Sequence, residues 1–233
     1  MSERPTPANA TRDGVVLLHG IGRTARSFRK MQAALEAAGY ATLNQDYASR
    51  RKALEALAED IHPAVARFAG GIEGSVHFVG HSMGGLLARV CLAKYRPQRL
   101  GRVVTLGTPN SGSEIADRLK DFFPYRVFFG PAGQQLGTRR DLSVDTLLPP
   151  VDYPVGIVAG NRSIDPLASI FLPKPHDGRV SVENTKLDGM TDHIVVGASH
   201  PWLMRNAIAI EQTIAFLRDG RFKPSVVVTR AGG

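Results

Sequence analysis

The sequence predicts an α/β fold, a mostly parallel sheet of about six strands with helices on both faces. Three observations carry this. Apolar runs of strand length alternate with stretches of helical spacing along most of the 233 residues, and strand-then-helix units require crossover connections, hence parallel strands covered on both sides. At 43% apolar residues and this length, with no internal repeat, the chain holds one sizeable core and reads as a single domain. Finally, the strand-like run Ser75-Val76-His77-Phe78-Val79 enters Gly80-His81-Ser82-Met83-Gly84 and then a helical stretch, the arrangement of a sharp strand-to-helix bend.

The elements follow in order. Val15 to Leu18 is a short buried strand ending in His19-Gly20-Ile21-Gly22. Phe28 to Ala38 has helical spacing through Phe28, Met31 and Leu35 and stops at Gly39. Ala41 to Tyr47 reads as the second strand, and Ala53 to Phe68 as a helix kinked at Pro63. After the bend, Leu86 to Tyr95 is helical, and Arg102 to Leu106 is a strand ending in Gly107-Thr108-Pro109-Asn110. Val155 to Ala159 and Ile194 to Val196 are the last two strands, and Pro201 opens a terminal helix reaching about Arg218. Residues 111–150 interrupt the rhythm with the aromatic run Phe122 to Phe129 and are expected to form a short lid or cap segment. The domain is expected to span residues 13–220, with a disordered lead-in over 1–12 and a tail over 221–233.

Composition narrows the function classes. The net charge of +8 reflects 29 Lys and Arg against 21 Asp and Glu. The basic residues are scattered and no nucleic-acid motif is present, so nucleic acid is not an expected partner; an overall basic composition is the favoured reading of the charge, with peripheral contact with a lipid surface as the alternative. Cys91 is the single cysteine, which excludes an internal disulfide, and its helical position suits a small packed hydrophobe. No run approaches the length of a membrane-spanning helix. The lead-in lacks the apolar core of a signal peptide, so a cytoplasmic location is expected.

The chemistry centres on Ser82. In a G-x-S-x-G bend the serine backbone is strained and its hydroxyl stands clear of the fold, and Gly80 and Gly84 remove the Cβ atoms that would collide. A serine hydroxyl needs a base in contact and an acid to orient that base. Three histidines follow Ser82: His176, His193 and His200. His193 and Asp192 precede the last strand, at the wrong edge of a parallel sheet, whereas His200 follows it, at the edge where ligands bind. His200 is therefore the expected base. Asp165, Asp177, Glu183 and Asp188 are acids in the right order. Asp177, in the turn Asp177-Gly178-Arg179-Val180, is favoured; Asp165, which with Pro166 resembles a helix start, is the alternative. Two backbone N–H groups should form an oxyanion hole: that of Met83, after the nucleophile, and that of Ile21, in the loop after the first strand, where Gly20 and Gly22 permit close approach.

These residues resemble a known family. His19-Gly20-Ile21-Gly22-Arg23, Gly39-Tyr40, Gly80-His81-Ser82-Met83-Gly84-Gly85, Gly107-Thr108-Pro109-Asn110 with Gly112-Ser113, Asp177-Gly178-Arg179-Val180 and Ser199-His200 are similar to bacterial α/β-hydrolases of the esterase/lipase type. Small triacylglycerol lipases and GPI inositol-deacylase-like hydrolase domains are the kin implied. The resemblance implies an α/β-hydrolase fold, a Ser82–Asp177–His200 triad and hydrolysis of a small-molecule or lipid ester through an acyl-serine, without cofactor or metal. The same triad would serve an acyltransferase or thioesterase. A non-catalytic binding protein on this fold is the reading from another class. The chain lacks the two leading strands of the larger family pattern, its cap is short, and it shows no calcium site or disulfide of the kind some secreted lipases carry.

Overall fold

The computed structural model describes residues 12–112, 131–132, 135, 147–164 and 172–224. Six strands, β1 (Gly14–Leu18), β2 (Ala41–Gln45), β3 (Val76–His81), β4 (Leu100–Leu106), β5 (Val155–Gly160) and β6 (Asp192–Val196), form one sheet in the order β2-β1-β3-β4-β5-β6. Every pairing is parallel. The helices are α1 (Arg29–Ala37), α2 (Leu54–Gly70), α3 (Met83–Tyr95), the short α4 (Val182–Thr185) and α5 (Ala207–Asp219), with 3-10 turns at Ala25–Phe28 and His200–Arg205. This is the α/β-hydrolase fold that the sequence predicts. No helix among the described residues is long and apolar enough to cross a membrane.

Strand alternation divides the apolar side chains between two layers. Val16, Leu18, Phe78, Val103 and Ile157 face one way and are covered by α2 and α3. Val15, Leu17, Val79, Val104 and Val158 face the other and are covered by α1 and α5. Central β1, β3 and β5 are buried along their whole length, whereas the edge strand β2 is half-exposed throughout. Helix α3 is buried from Met83 to Leu92, lying between the sheet and α2. On α2 the residues Leu54, Leu57, Ala58, Ile61 and Val65 recur at helical spacing and make a single buried stripe.

Boundaries differ from the sequence reading in two informative places. The expected helix from Pro201 to Arg218 is two pieces, because Asn206 takes an extended backbone conformation and its side chain caps α5, accepting the Ala209 N–H at 3.0 Å. Helix α3 begins at Met83 rather than Leu86, despite two glycines in its first turn, because tertiary packing overrides their low helix propensity. Helix α2 runs through Pro63. At the C-terminus Phe222, beyond the domain limit read from sequence, is buried against Phe216. Its N–H donates to the Asp192 carboxylate at 2.8 Å. The lead-in over residues 1–11 and most of the lid or cap segment, 113–130, 133–134 and 136–146, lie outside the described residues.

Phe78 is fully buried at the centre of β3. Phe78→Ala is expected to cost about 3–5 kcal/mol, read as a lowered urea midpoint at unchanged slope.

Candidate active site

All six strands point the same way, so the residues that follow their carboxyl ends gather along one sheet edge. Register brings Leu18 beside Gly80, His81 beside Leu106, Leu106 beside Val158 and Gly160 beside Val196. Hence His19, Ser82, Gly107, Asp177 and His200, from five different connections, occupy one region.

Ser82 stands between β3 and α3 with φ 54 and ψ −126, the single non-glycine at positive φ among the described residues. Such a conformation costs on the order of 1–3 kcal/mol and persists where the surroundings dictate it. Here they do. Ser82 N–H donates to Leu106 C=O at 2.9 Å, and its own carbonyl accepts from Gly85 N–H at 3.0 Å and from the Thr108 hydroxyl at 2.9 Å. The bend admits no side chains beside it: a Cβ on Gly80 would lie 2.5 Å from the Gly84 carbonyl oxygen, and one on Gly84 would run into the Leu18 carbonyl.

From the serine a line of hydrogen bonds leads inward. His200 Nε2 lies 3.0 Å from Ser82 Oγ, and His200 Nδ1 lies 2.7 Å from Asp177 Oδ2. The carboxylate can only accept, so Nδ1 carries the proton and Nε2 presents its lone pair to the hydroxyl. Asp177 is 1% exposed, and its other oxygen accepts the N–H groups of Arg179 and Val180, both at 2.9 Å. A second tie joins the pair through the main chain, His200 N–H to Asp177 C=O at 2.9 Å. The structure thus brings Asp177 to His200, while Asp165 lies outside the described residues. His193 and Asp192 sit at the start of β6, at the opposite edge from Ser82.

The loop after β1 closes on the serine from the other side. A Cβ on Gly20 would be 3.2 Å from Ser82 Cβ, so the main chain of this loop runs directly over the bend. Ile21 follows it, packed against the core, and Met83 opens α3, where the first N–H groups have no partner within the helix. Gly22, at φ 67, has its N–H held by the Ser49 hydroxyl at 3.0 Å. His19 is stacked on Tyr47 at 4.0 Å, and the Tyr47 hydroxyl donates to the His19 carbonyl. Its Nε2 meets Asp46 Oδ1 at 2.9 Å.

Two residues of the site were quoted in the sequence motifs without a role. Thr108 anchors the Ser82 carbonyl, as above. His81 Nε2 lies 3.0 Å from the His200 carbonyl oxygen, which only accepts, so the ring donates there and Nδ1 is bare. Among the described residues Nδ1 has no partner, and burial, followed by the charge of a protonated His200, holds the His81 pKa well below 6.5. At the opposite edge of the sheet His77 is also buried with its pKa lowered, Nδ1 accepting Arg102 N–H at 2.8 Å. The signal for His81 was present in the motif, but its acceptor lies 119 residues away in the chain.

The chain matches the family model described as alpha/beta hydrolase fold over residues 14–142. It is 48% identical over 46 residues to a triacylglycerol lipase of Pseudarthrobacter phenanthrenivorans, a match covering 20% of this chain and 14% of that protein. Among solved structures it resembles the mature Bacillus licheniformis lipase BlEst2, with a TM-score of 0.72 and 19% identity over 93% of this chain and 94% of that one. It also resembles the type II thioesterase BorB of the borrelidin biosynthetic cluster, with a TM-score of 0.57 and 18% identity over 93% and 95% of the two chains.

Two outcomes test this geometry. Gly84→Ala is expected to destabilise by about 1–3 kcal/mol and to disturb the bend, measured by chemical denaturation. His77 and His81 have folded-state pKa values below 6.5, so the unfolded chain binds more protons as the pH falls below that value. Stability should therefore be complete above about pH 6.5 and decline below it, and His81→Asn should make the decline shallower by up to about 1.4 kcal/mol per pH unit, seen in denaturation midpoints from pH 7 to 5.

Proposed function

The chain belongs to the alpha/beta hydrolase fold family, and from that premise we propose that it is a serine hydrolase that cleaves carboxylic esters through an acyl-serine intermediate. The observation that carries this reading is the continuous hydrogen-bond line from Ser82 Oγ through His200 to Asp177. A hydroxyl facing an imidazole lone pair, with that imidazole oriented by a buried carboxylate, is the arrangement that makes an alcohol nucleophilic at neutral pH.

In the first half-reaction His200 Nε2 takes the Ser82 proton while Oγ attacks the ester carbonyl. The N–H groups of Met83 and Ile21 stabilise the oxyanion, each contributing roughly 3–4 kcal/mol to lowering the barrier. The protonated His200 delivers its proton to the departing alcohol, leaving acyl-Ser82. In the second half water attacks the acyl group, His200 accepts its proton, and the acid is released. Asp177 keeps His200 in the productive tautomer and stabilises the imidazolium. His81 holds the His200 main chain from the other side and stays neutral, so it adds no positive charge beside the imidazolium.

A thioester substrate needs no different residues, and the likeness to BorB makes this the second reading. Matched oxygen esters and thioesters of one acyl chain separate the two by kcat/KM. A non-catalytic binding role is opposed by the alignment of all three side chains.

Ser82→Ala is expected to abolish labelling by a fluorophosphonate and to lower kcat/KM on p-nitrophenyl esters by at least about 10³-fold. Asp177→Asn should lower kcat by about 10²- to 10⁴-fold, since the tautomer is no longer enforced. Unlabelled wild-type Ser82, or wild-type turnover by Ser82→Ala, would refute the proposal.

A further inference from the structure

The loops after β1 and β2 meet in a pocket of about 250 Å³ lined by three arginines, Arg23, Arg50 and Arg51, together with Gly22, Tyr47 and Ser49. Among the described residues no carboxylate contributes to this wall. Arg23 and Arg51 are exposed, and neither forms an ion pair with an acidic side chain among the described residues. The like charges of Arg23 and Arg51 beside one concavity repel each other, an arrangement that a merely soluble surface avoids by mixing signs. An arginine fork matches a carboxylate or a phosphate with two parallel hydrogen bonds.

The pocket is built on fixed supports. Ser49, 4% exposed, accepts the Gly22 N–H, and its own hydroxyl proton is committed to no described acceptor. Asp46, the neighbouring acid, is exposed, but its Oδ1 is already shared by His19 Nε2, Ala25 N–H and Tyr47 N–H, contacts that lock the two loops together. The pocket also adjoins the reacting serine. Gly22 is two residues from Gly20, whose Cβ position lies 3.2 Å from Ser82 Cβ. Two peptide steps place the pocket rim no more than about 12 Å from the nucleophile. The positive charge of Arg23 is felt at His81, the residue preceding Ser82.

We infer that this pocket is an anion subsite that receives a carboxylate or phosphate group of the substrate, so that the preferred substrate is a negatively charged ester whose charge lies several bonds from the scissile carbonyl. The inference rests on the acyl-serine reading above and specifies its substrate class. Charge on the acyl part and charge on the alcohol part use the same recognition chemistry.

Two matched pairs separate these sources in the full chain: p-nitrophenyl pentanoate against the p-nitrophenyl monoester of glutaric acid, and monobutyrylglycerol against 1-butyrylglycerol 3-phosphate. In at least one pair kcat/KM should favour the charged member by about tenfold or more at low salt, and the advantage should shrink as ionic strength screens the charges. A preference for the glutarate places the anion on the acyl side, and one for the glycerol phosphate places it on the alcohol side. In Arg23→Gln/Arg51→Gln, and separately in Arg51→Glu, the charged-to-neutral ratio should fall towards one. Equal or better turnover of the neutral member in both pairs would overturn the inference, as would variants that lower both members of a pair by the same factor. Absence of fluorophosphonate labelling at wild-type Ser82 would instead overturn the hydrolase reading from which the subsite follows.

Discussion

The close approach of the first turn of α3 to the end of β1 is the constraint on which the site depends. At Gly84 the helix backbone touches the Leu18 carbonyl, and at Gly80 the strand backbone touches the helix. With no room for side chains at these points, the chain must turn at Ser82 through a backbone conformation that L-residues rarely adopt. The strain is offset by the bonds that Leu106, Gly85 and Thr108 make to the serine main chain. The result is a hydroxyl projected beyond the sheet from a rigid base, with the start of α3 and the loop after β1 on either side of it.

The second half of the site is a different kind of construction. Asp177 and His200 come from separate connections, after β5 and after β6, with His200 at the start of the 3-10 turn His200–Arg205. They are held by each other: side chain to side chain through Nδ1, and main chain to main chain through the His200 N–H. Asp177 has a further bond from each of two N–H groups in its own turn, which leaves one oxygen for the imidazole. His81 adds a third support from beneath the serine, reaching the His200 carbonyl from the residue before the nucleophile. A shift of either loop would therefore break several bonds at once, and this makes the geometry of base and acid a single cooperative unit.

On this edge of the molecule buried histidines and exposed arginines stand apart. Burial lowers the pKa of His19 and, more strongly, that of His81, both near Ser82. Arg23 and Arg51 are exposed and line a pocket between the loops after β1 and β2.

Local physics made much of this legible in the sequence. Apolar runs and helical spacing marked all six strands, and the two glycines around Ser82 marked the bend, because each signal depends on residues close together in the chain. The parallel direction of the strands put His200 and His193 at opposite edges of the sheet, and in the structure His193 lies at the start of β6 and His200 beyond its end. Helix limits were less legible. The start of α3 and the break at Asn206 are decided by packing and capping that propensity does not register. What only tertiary structure decided was the company each residue keeps: Asp177 against His200, His81 beneath the His200 carbonyl, Thr108 on Ser82, and Arg23 beside Arg51. The physical reason is that these meetings join separate loops, 119 residues apart in the chain for His81 and His200, and sequence encodes them through the order and register of the strands rather than through any pattern at the residues themselves.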